Sequence, residues 1–168
     1  MSNNVEVLKE KVLEAQKNAD IATLYILQDE AQETFDEDTL SGFFANILDL
    51  ALENLTNTLE ACSKFEIDDV QDFATLRALY EYAMEHYHGG NPKDASALFE
   101  VLSGVTNDET FTLALKYHQI ASQHAISLDT FLDEYADMQN TQKQNTFYIS
   151  CFTEKAQELL NTQKEKVE

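Results

Sequence analysis

The chain has 168 residues, four glycines, one proline and a formal net charge of −20. That length suits one domain with a real core, or a short helical array, and is too short for two independent enzymatic domains. Few chain breakers beside abundant Ala, Leu, Glu, Gln and Lys make the class all-α. The charge repels phosphate backbones and anionic lipid heads, so nucleic acid and membrane surfaces are poor partners, and basic proteins or an apolar client in need of solubility are better ones.

No run approaches the ~20 apolar residues of a membrane span. The opening stretch MSNNVEVLKEKVLEAQ has neither a basic region nor an apolar one of the export-signal kind. The expected location is therefore the cytoplasm. Residues 1–160 read as a single all-helical domain and 161–168 as a solvated tail.

The first helix is expected over Val5 to Asn18, with Val5, Leu8, Val12 and Ala15 at helical spacing. Asp20 then caps a second helix, whose stripe is Ile21, Leu24, Leu27 and Ala31. Asp38 is the expected cap of a long third helix reaching about Ser63, with Leu40, Phe44, Ile47, Ala51, Leu55, Leu59 and Cys62 on one face. The acidic tract EIDDVQD suits the positive end of a fourth helix, in which Phe73, Leu76, Leu79, Ala83 and Tyr87 mark the buried face.

Gly89 and Gly90 end that helix, and Asn91 with Pro92 starts the next, carried by Ala95, Leu98, Phe99 and Leu102. The cluster HYHGGNP thus reads as a turn. Asp108 begins a sixth helix through Phe111, Leu113, Ala114, Tyr117 and Ile120, and Ser127 caps a short seventh through Phe131, Leu132 and Tyr135. After the tract MQNTQKQNT a final helix is expected to carry Phe147, Ile149, Cys151, Phe152, Ala156 and Leu159.

Both cysteines, Cys62 and Cys151, fall in apolar helical patterns and are expected as buried thiols. The hexamers FFANIL, ALFEVL and FYISCF recur at roughly fifty-residue intervals, each after a helix with its own stripe, which suggests three degenerate helix-turn-helix units. The architecture expected is a set of antiparallel helical hairpins, stacked as an array or packed as a bundle.

Residues 76–109 carry a sharper pattern. Ala83 stands where two antiparallel helices would cross, Gly90 at the turn between them, and Ala95 with Phe99 makes an Ala-x-x-x-Phe pair on the second helix. Leu79 fills the large apolar position that opens the motif. This stretch resembles a tetratricopeptide repeat, with Tyr82 and His86 in place of the usual Leu and Tyr, and Asn107 where the terminating proline is expected. It covers about a fifth of the chain, and a lone repeat cannot bury its own core.

Within that fold, LYEYAMEHYHGGNPKDASALFEVL is similar to the first repeat of the type III secretion chaperones that hold translocator proteins. Flagellar-export chaperones and co-chaperones are the second comparison, since the long third helix is unusual for the first family. The resemblance implies a concave groove that holds an extended client segment. Its inward positions would be Arg77, Tyr80, Met84, Tyr87, His88, Phe111, Ala114 and His118. The same side chains would serve equally as core between packed helices.

Catalytic chemistry is sparse. Glu85 and His88 have the Glu-x-x-His spacing of di-iron bundles but lack a second pair, and all four histidines read as surface or boundary residues. The chain carries no Walker loop, dinucleotide fingerprint, nucleophile elbow or calcium loop. Neither catalytic residues nor a metal or cofactor are expected. The leading expectation is a non-enzymatic protein-binding chaperone or adaptor for a helical or extended client, of the type III or flagellar export kind. The alternative is a structural homo-oligomer, at its simplest a homodimer, with the Leu40 to Cys62 stripe as its seam; a metal-dependent helical enzyme stands third.

Overall fold

The computed structural model describes residues 2–167 of the chain. It is all-α and 77% helical, neighbouring helices pack antiparallel, and among the described residues no strand forms. Contacts cluster into two compact units, Met1–Ala78 and Leu79–Glu168, where composition alone suggested one.

The first unit holds α1 (Ser2–Lys17), α2 (Ile21–Ile26), α3 (Gln28–Thr34), α4 (Glu37–Glu60) and the opening turns of α5 (Val70–His88). Helix α1 lies against α2 and α3, and α2 against α4. The interior is Leu8, Ile21, Leu24, Phe43, Ile47 and Phe65, all buried. Asp20 caps α2 as expected: its carboxylate accepts from Thr23 N at 3.1 Å and from Gln71 Nε2 at 2.6 Å, tying α2 to the start of α5. Buried Thr75 is satisfied by donating to Gln71 O and accepting from Asn54 Nδ2.

Several expectations for this unit need correction. The second helix breaks at Leu27, which ends α2 and begins α3. The cap of α4 is Asp36, whose Oδ1 accepts from Thr39 N at 2.8 Å, while Glu37 and Asp38 occupy the first turn and oppose the positive helix end. Only Phe43, Ile47 and Ala51 of α4 are buried; Leu40, Phe44 and Leu55 are half-buried, and Leu59 is exposed. Cys62 is an exposed free thiol past the helix end, and Phe73 of α5 is partly exposed rather than core.

The second unit continues α5 into α6 (Pro92–Gly104), α7 (Glu109–Gln123), α8 (Leu128–Thr130), a π-helical turn over Phe131–Tyr135, α9 (Met138–Lys143) and α10 (Glu154–Val167). Helices α6 and α7 pack closely against each other. The hairpin α5–α6 forms as the spacing requires: Ala83, Ala95 and Phe99 are fully buried, Pro92 opens α6, and Gly90 takes φ 83° in the connecting turn. The caps at Asp108 and Ser127 also form, accepting from Phe111 N and Thr130 N.

The final expected helix is only half realised. Residues 146–153 are irregular, bending at Phe147 and Tyr148, and α10 begins at Glu154 behind Thr153, whose hydroxyl accepts from Ala156 N. The aromatic and β-branched run TFYISCF has weak helix propensity, and its backbone finds other partners. Asp137 N donates to Cys151 O and Thr153 N to Tyr135 O around a single antiparallel bridge between Ala136 and Phe152. Ser150 N and Cys151 N both donate to the buried Thr141 hydroxyl. The third member of the proposed repeat, FYISCF, is therefore not helical. Conversely, the polar tract expected as a break contains α9, capped by Asp137 through Asn140 N. Residues 161–167, expected as a tail, continue α10; residue 168 lies outside the described residues.

Helices end here mostly without glycine. Ala19, Cys62 and Ala125 take φ near 50°, and the next residue's N–H reaches back to the carbonyls of Ala15, Thr58 and Ala121. This is the closing bond Gly90 allows after α5, where Asn91 N donates to His86 O. A side chain in the left-handed region costs roughly 1 kcal/mol. Ala125→Gly is therefore expected to raise the urea midpoint by an amount equivalent to about 0.5–1 kcal/mol, since exposed Ala125 loses no packing. An unchanged or lowered midpoint would contradict this account of the helix end.

Candidate functional site

The residues expected to line a groove divide into three kinds. Tyr80, Tyr87, Phe111, Ala114 and His118 are brought together, but as the interior of the second unit. Met84 is half-buried and His88 exposed on α5, while Arg77 belongs to the first unit. As an open surface for a client, the first five are corrected: each is at most 4% exposed.

Tyr80, Phe111 and His118 pack against the chain's own residues 147–152, and Tyr87 packs against Phe99 and Phe131. The Tyr80 ring lies 5.9 Å from Phe147 and 6.3 Å from Tyr148, Phe111 lies 4.7 Å from Tyr148, and Phe152 stacks on Tyr117 at 4.1 Å. Such ring pairs add to the area they bury.

His118 is the correction to the histidine reading, being fully enclosed rather than at the surface. Its Nδ1 lies 2.6 Å from Ala114 O, an acceptor only, so Nδ1 carries the proton. Nε2 consequently accepts from the Tyr80 hydroxyl at 2.7 Å, and the Tyr80 oxygen in turn accepts from Ile149 N at 3.1 Å. Every polar atom of this chain of bonds is satisfied. Burial pushes the imidazole down to about 4 and holds the Tyr80 phenol well above its ordinary range. The Tyr87 hydroxyl donates to Ile126 O at 2.6 Å. The geometry is that of a rigid, neutral buried network.

Beside the HGGNP turn lies a shallow cavity of about 310 Å³ between Tyr87, His88, Gly90, Pro92 and residues 125–129. Among the described residues no group of three or more His, Cys, Asp or Glu is placed to hold a metal ion. No described helix is long and apolar enough to cross a membrane.

The other unit presents a different surface. Ala22, Tyr25 and Ile26 of α2 face Ile67 and the start of α5 across a cleft of about 440 Å³. Its mouth is apolar and open, with Ile26 79%, Val70 68% and Phe73 37% exposed. One wall is built by Arg77, whose guanidinium sits 4.0 Å above the Tyr25 ring and donates to Gln28 Oε1 at 3.4 Å. Asp68 and Asp69 stand at the rim; Asp69 also accepts from Gln71 N and Asp72 N and so fixes the first turn of α5.

Of the expected groove residues only Arg77 reaches this cleft. Ile26 and Val70 were not singled out, and Phe73 was assigned to the core. A usable signal existed in the sequence: Ile26 lies off the Ile21, Leu24, Leu27 stripe, and Val70 interrupts an acidic tract. Comparison with protein-family models, with curated proteins and with solved structures finds no match to this chain.

Proposed function

We propose that this chain is a non-enzymatic protein-binding adaptor or holding chaperone, and that it docks its partner on the apolar cleft of the first unit. One observation carries the reading: Ile26, Val70 and Phe73 expose large apolar side chains around a single cleft. Clustered exposed apolar surface rimmed by polar groups marks interaction sites more often than isolated exposed residues do. A partner side chain seated there would gain about 1.5–3 kcal/mol from burial, and Ile26 and Val70 would gain in proportion.

The finer proposal is an export chaperone or co-chaperone. What supports it is the α5–α6 hairpin, with Ala83, Gly90, Ala95 and Phe99 at the tetratricopeptide positions, together with the acidic composition. An acidic exterior would keep an apolar client soluble until delivery.

The homo-oligomer is a second reading favoured by α4, where half-buried Phe44, Leu48, Leu52 and Leu55 and exposed Leu59 share a face. Glu37, Asp38, Asp49, Glu53 and Glu60 give that helix acids and no bases, so pairing two copies would oppose like charges.

The test is affinity capture of tagged protein from its native host, comparing wild type with Ile26→Ser/Val70→Ser. Both side chains are exposed, so the helices should form as before. Wild type is expected to retain a partner in near-stoichiometric amount, reduced tenfold or more by the double substitution. Equal recovery by both proteins would place binding elsewhere, and a mass that rises with concentration without any partner would favour the oligomer.

A further inference from the structure

We infer that the partner segment seated in the first unit's cleft is a basic amphipathic one, an apolar anchor flanked by Lys or Arg. The inference rests on the docking role just proposed and adds the chemistry of the occupant. The cleft offers two kinds of recognition side by side. Ile26, Val70 and Phe73 at its mouth, with Tyr25 and Ala74 inside, can bury an apolar side chain. At the rim, exposed Asp68 and Asp69 project carboxylates beside that apolar floor.

The surrounding sequence reinforces the sign of the charge. Between Lys17 and Lys64 there is no Lys or Arg, while Asp20 caps α2 and Asp and Glu recur in α3 and α4. Arg77 is the cation of the cleft, and its charge lies over the Tyr25 ring with one N–H engaged by Gln28. The cleft lining thus sets two carboxylates, Asp68 and Asp69, against one cation, and its formal charge is negative. A negative rim steers a cationic segment to encounter and penalises an anionic one, while affinity comes from the apolar anchor. A second copy of this chain, with a formal charge of −20, is the occupant this field disfavours.

The probes are two labelled amphipathic peptides of equal length, one built from Leu and Lys and the other from Leu and Glu. Their binding to the full chain is followed by fluorescence anisotropy at about 0.15 M salt, where only charges within ~8 Å act strongly. The Leu/Lys peptide is expected to bind, to weaken at least tenfold on Ile26→Ser/Val70→Ser, and to weaken about threefold on Asp68→Lys. Asp68 is chosen because Asp69 also holds the helix start. The Leu/Glu peptide is expected not to bind.

Leu/Lys binding that ignores Ile26→Ser/Val70→Ser would be mere adhesion to an acidic surface, and would overturn both the inference and the docking role. Leu/Glu binding at the cleft, abolished by the same double substitution, would overturn the basic partner and leave the docking role standing. A doubling of mass with concentration, abolished by Ile26→Ser/Val70→Ser, would identify a second copy as the occupant and equally overturn it.

Discussion

Tyr80→Ala is expected to unfold the second unit or lower its stability by at least about 4 kcal/mol, whereas Met84→Ala on the same helix should cost about 1 kcal/mol or less. A buried aromatic cut to Ala costs about 3–5 kcal/mol through lost transfer energy and the cavity left behind. Here the ring touches Phe99, Phe111, His118, Phe147 and Tyr148 at once. Its loss would also strand His118 Nε2 and Ile149 N, each buried and each bonded to the phenol oxygen. Tyr80→Phe separates the two contributions by keeping the ring, with an expected loss of about 2 kcal/mol from the unpaired polar atoms. Urea denaturation followed by circular dichroism reads all three. A folded, undiminished Tyr80→Ala would mean that this ring lines a surface after all, as the groove reading of the sequence proposed.

Acidification should weaken the same unit through His118. Its folded value of about 4 lies below the usual 6.5, so between those two values the unfolded chain binds the extra proton. Stability contributed by the neutral imidazole is thus fully present above pH 6.5 and is lost as pH falls toward about 4, at up to about 1.4 kcal/mol per pH unit. The rings around it, Tyr80, Phe99, Phe131 and Phe152, supply no countercharge.

The capping carboxylates act in a lower window. Hydrogen bonds from Thr23, Thr39 and Asn140 hold Asp20, Asp36 and Asp137 below the ordinary carboxylate range. Their contribution is present above about pH 3.9 and is lost as pH falls through their lowered values. His118→Gln is accordingly expected to flatten the urea midpoint between pH 6.5 and 4 while leaving the fall below pH 4 that the capping carboxylates bring. A slope between pH 6.5 and 4 unchanged by His118→Gln would mean that the imidazole is not the titrating group.

Fold class and most helix starts were legible because they rest on local chemistry. Asp20, Asp108 and Ser127 cap where their sequence context says they should, and Pro92 and Gly90 mark the turn between α5 and α6. Helix ends at Ala19, Cys62 and Ala125 were less visible, since a left-handed closure was met without glycine. Residues 146–153 escape a sequence reading because a short apolar run such as TFYISCF is not assigned to helix or non-helix by periodicity alone. What decides is the partner of each N–H, and Thr141, Tyr80 and Tyr135 are remote in sequence.

The groove residues show a similar limit. Tyr80, Phe111 and His118 do lie together, but in the core, and sequence pattern does not distinguish an open face from one covered by the chain's own Phe147 and Tyr148. The exposed cleft depends on which apolar residues remain uncovered once α2 and α5 have packed, and that is a property of the assembled unit.

Site-specific photo-crosslinking in the native host tests the central claim most directly. A photoreactive residue would be placed at Ile26 or Val70 in the cleft mouth, with exposed Leu13 and Leu113 as controls. Discrete adducts with one partner from Ile26 and Val70, and none from Leu13 or Leu113, are the predicted result. Adducts equally abundant from all four positions, or absent from the cleft alone, would contradict docking at this site.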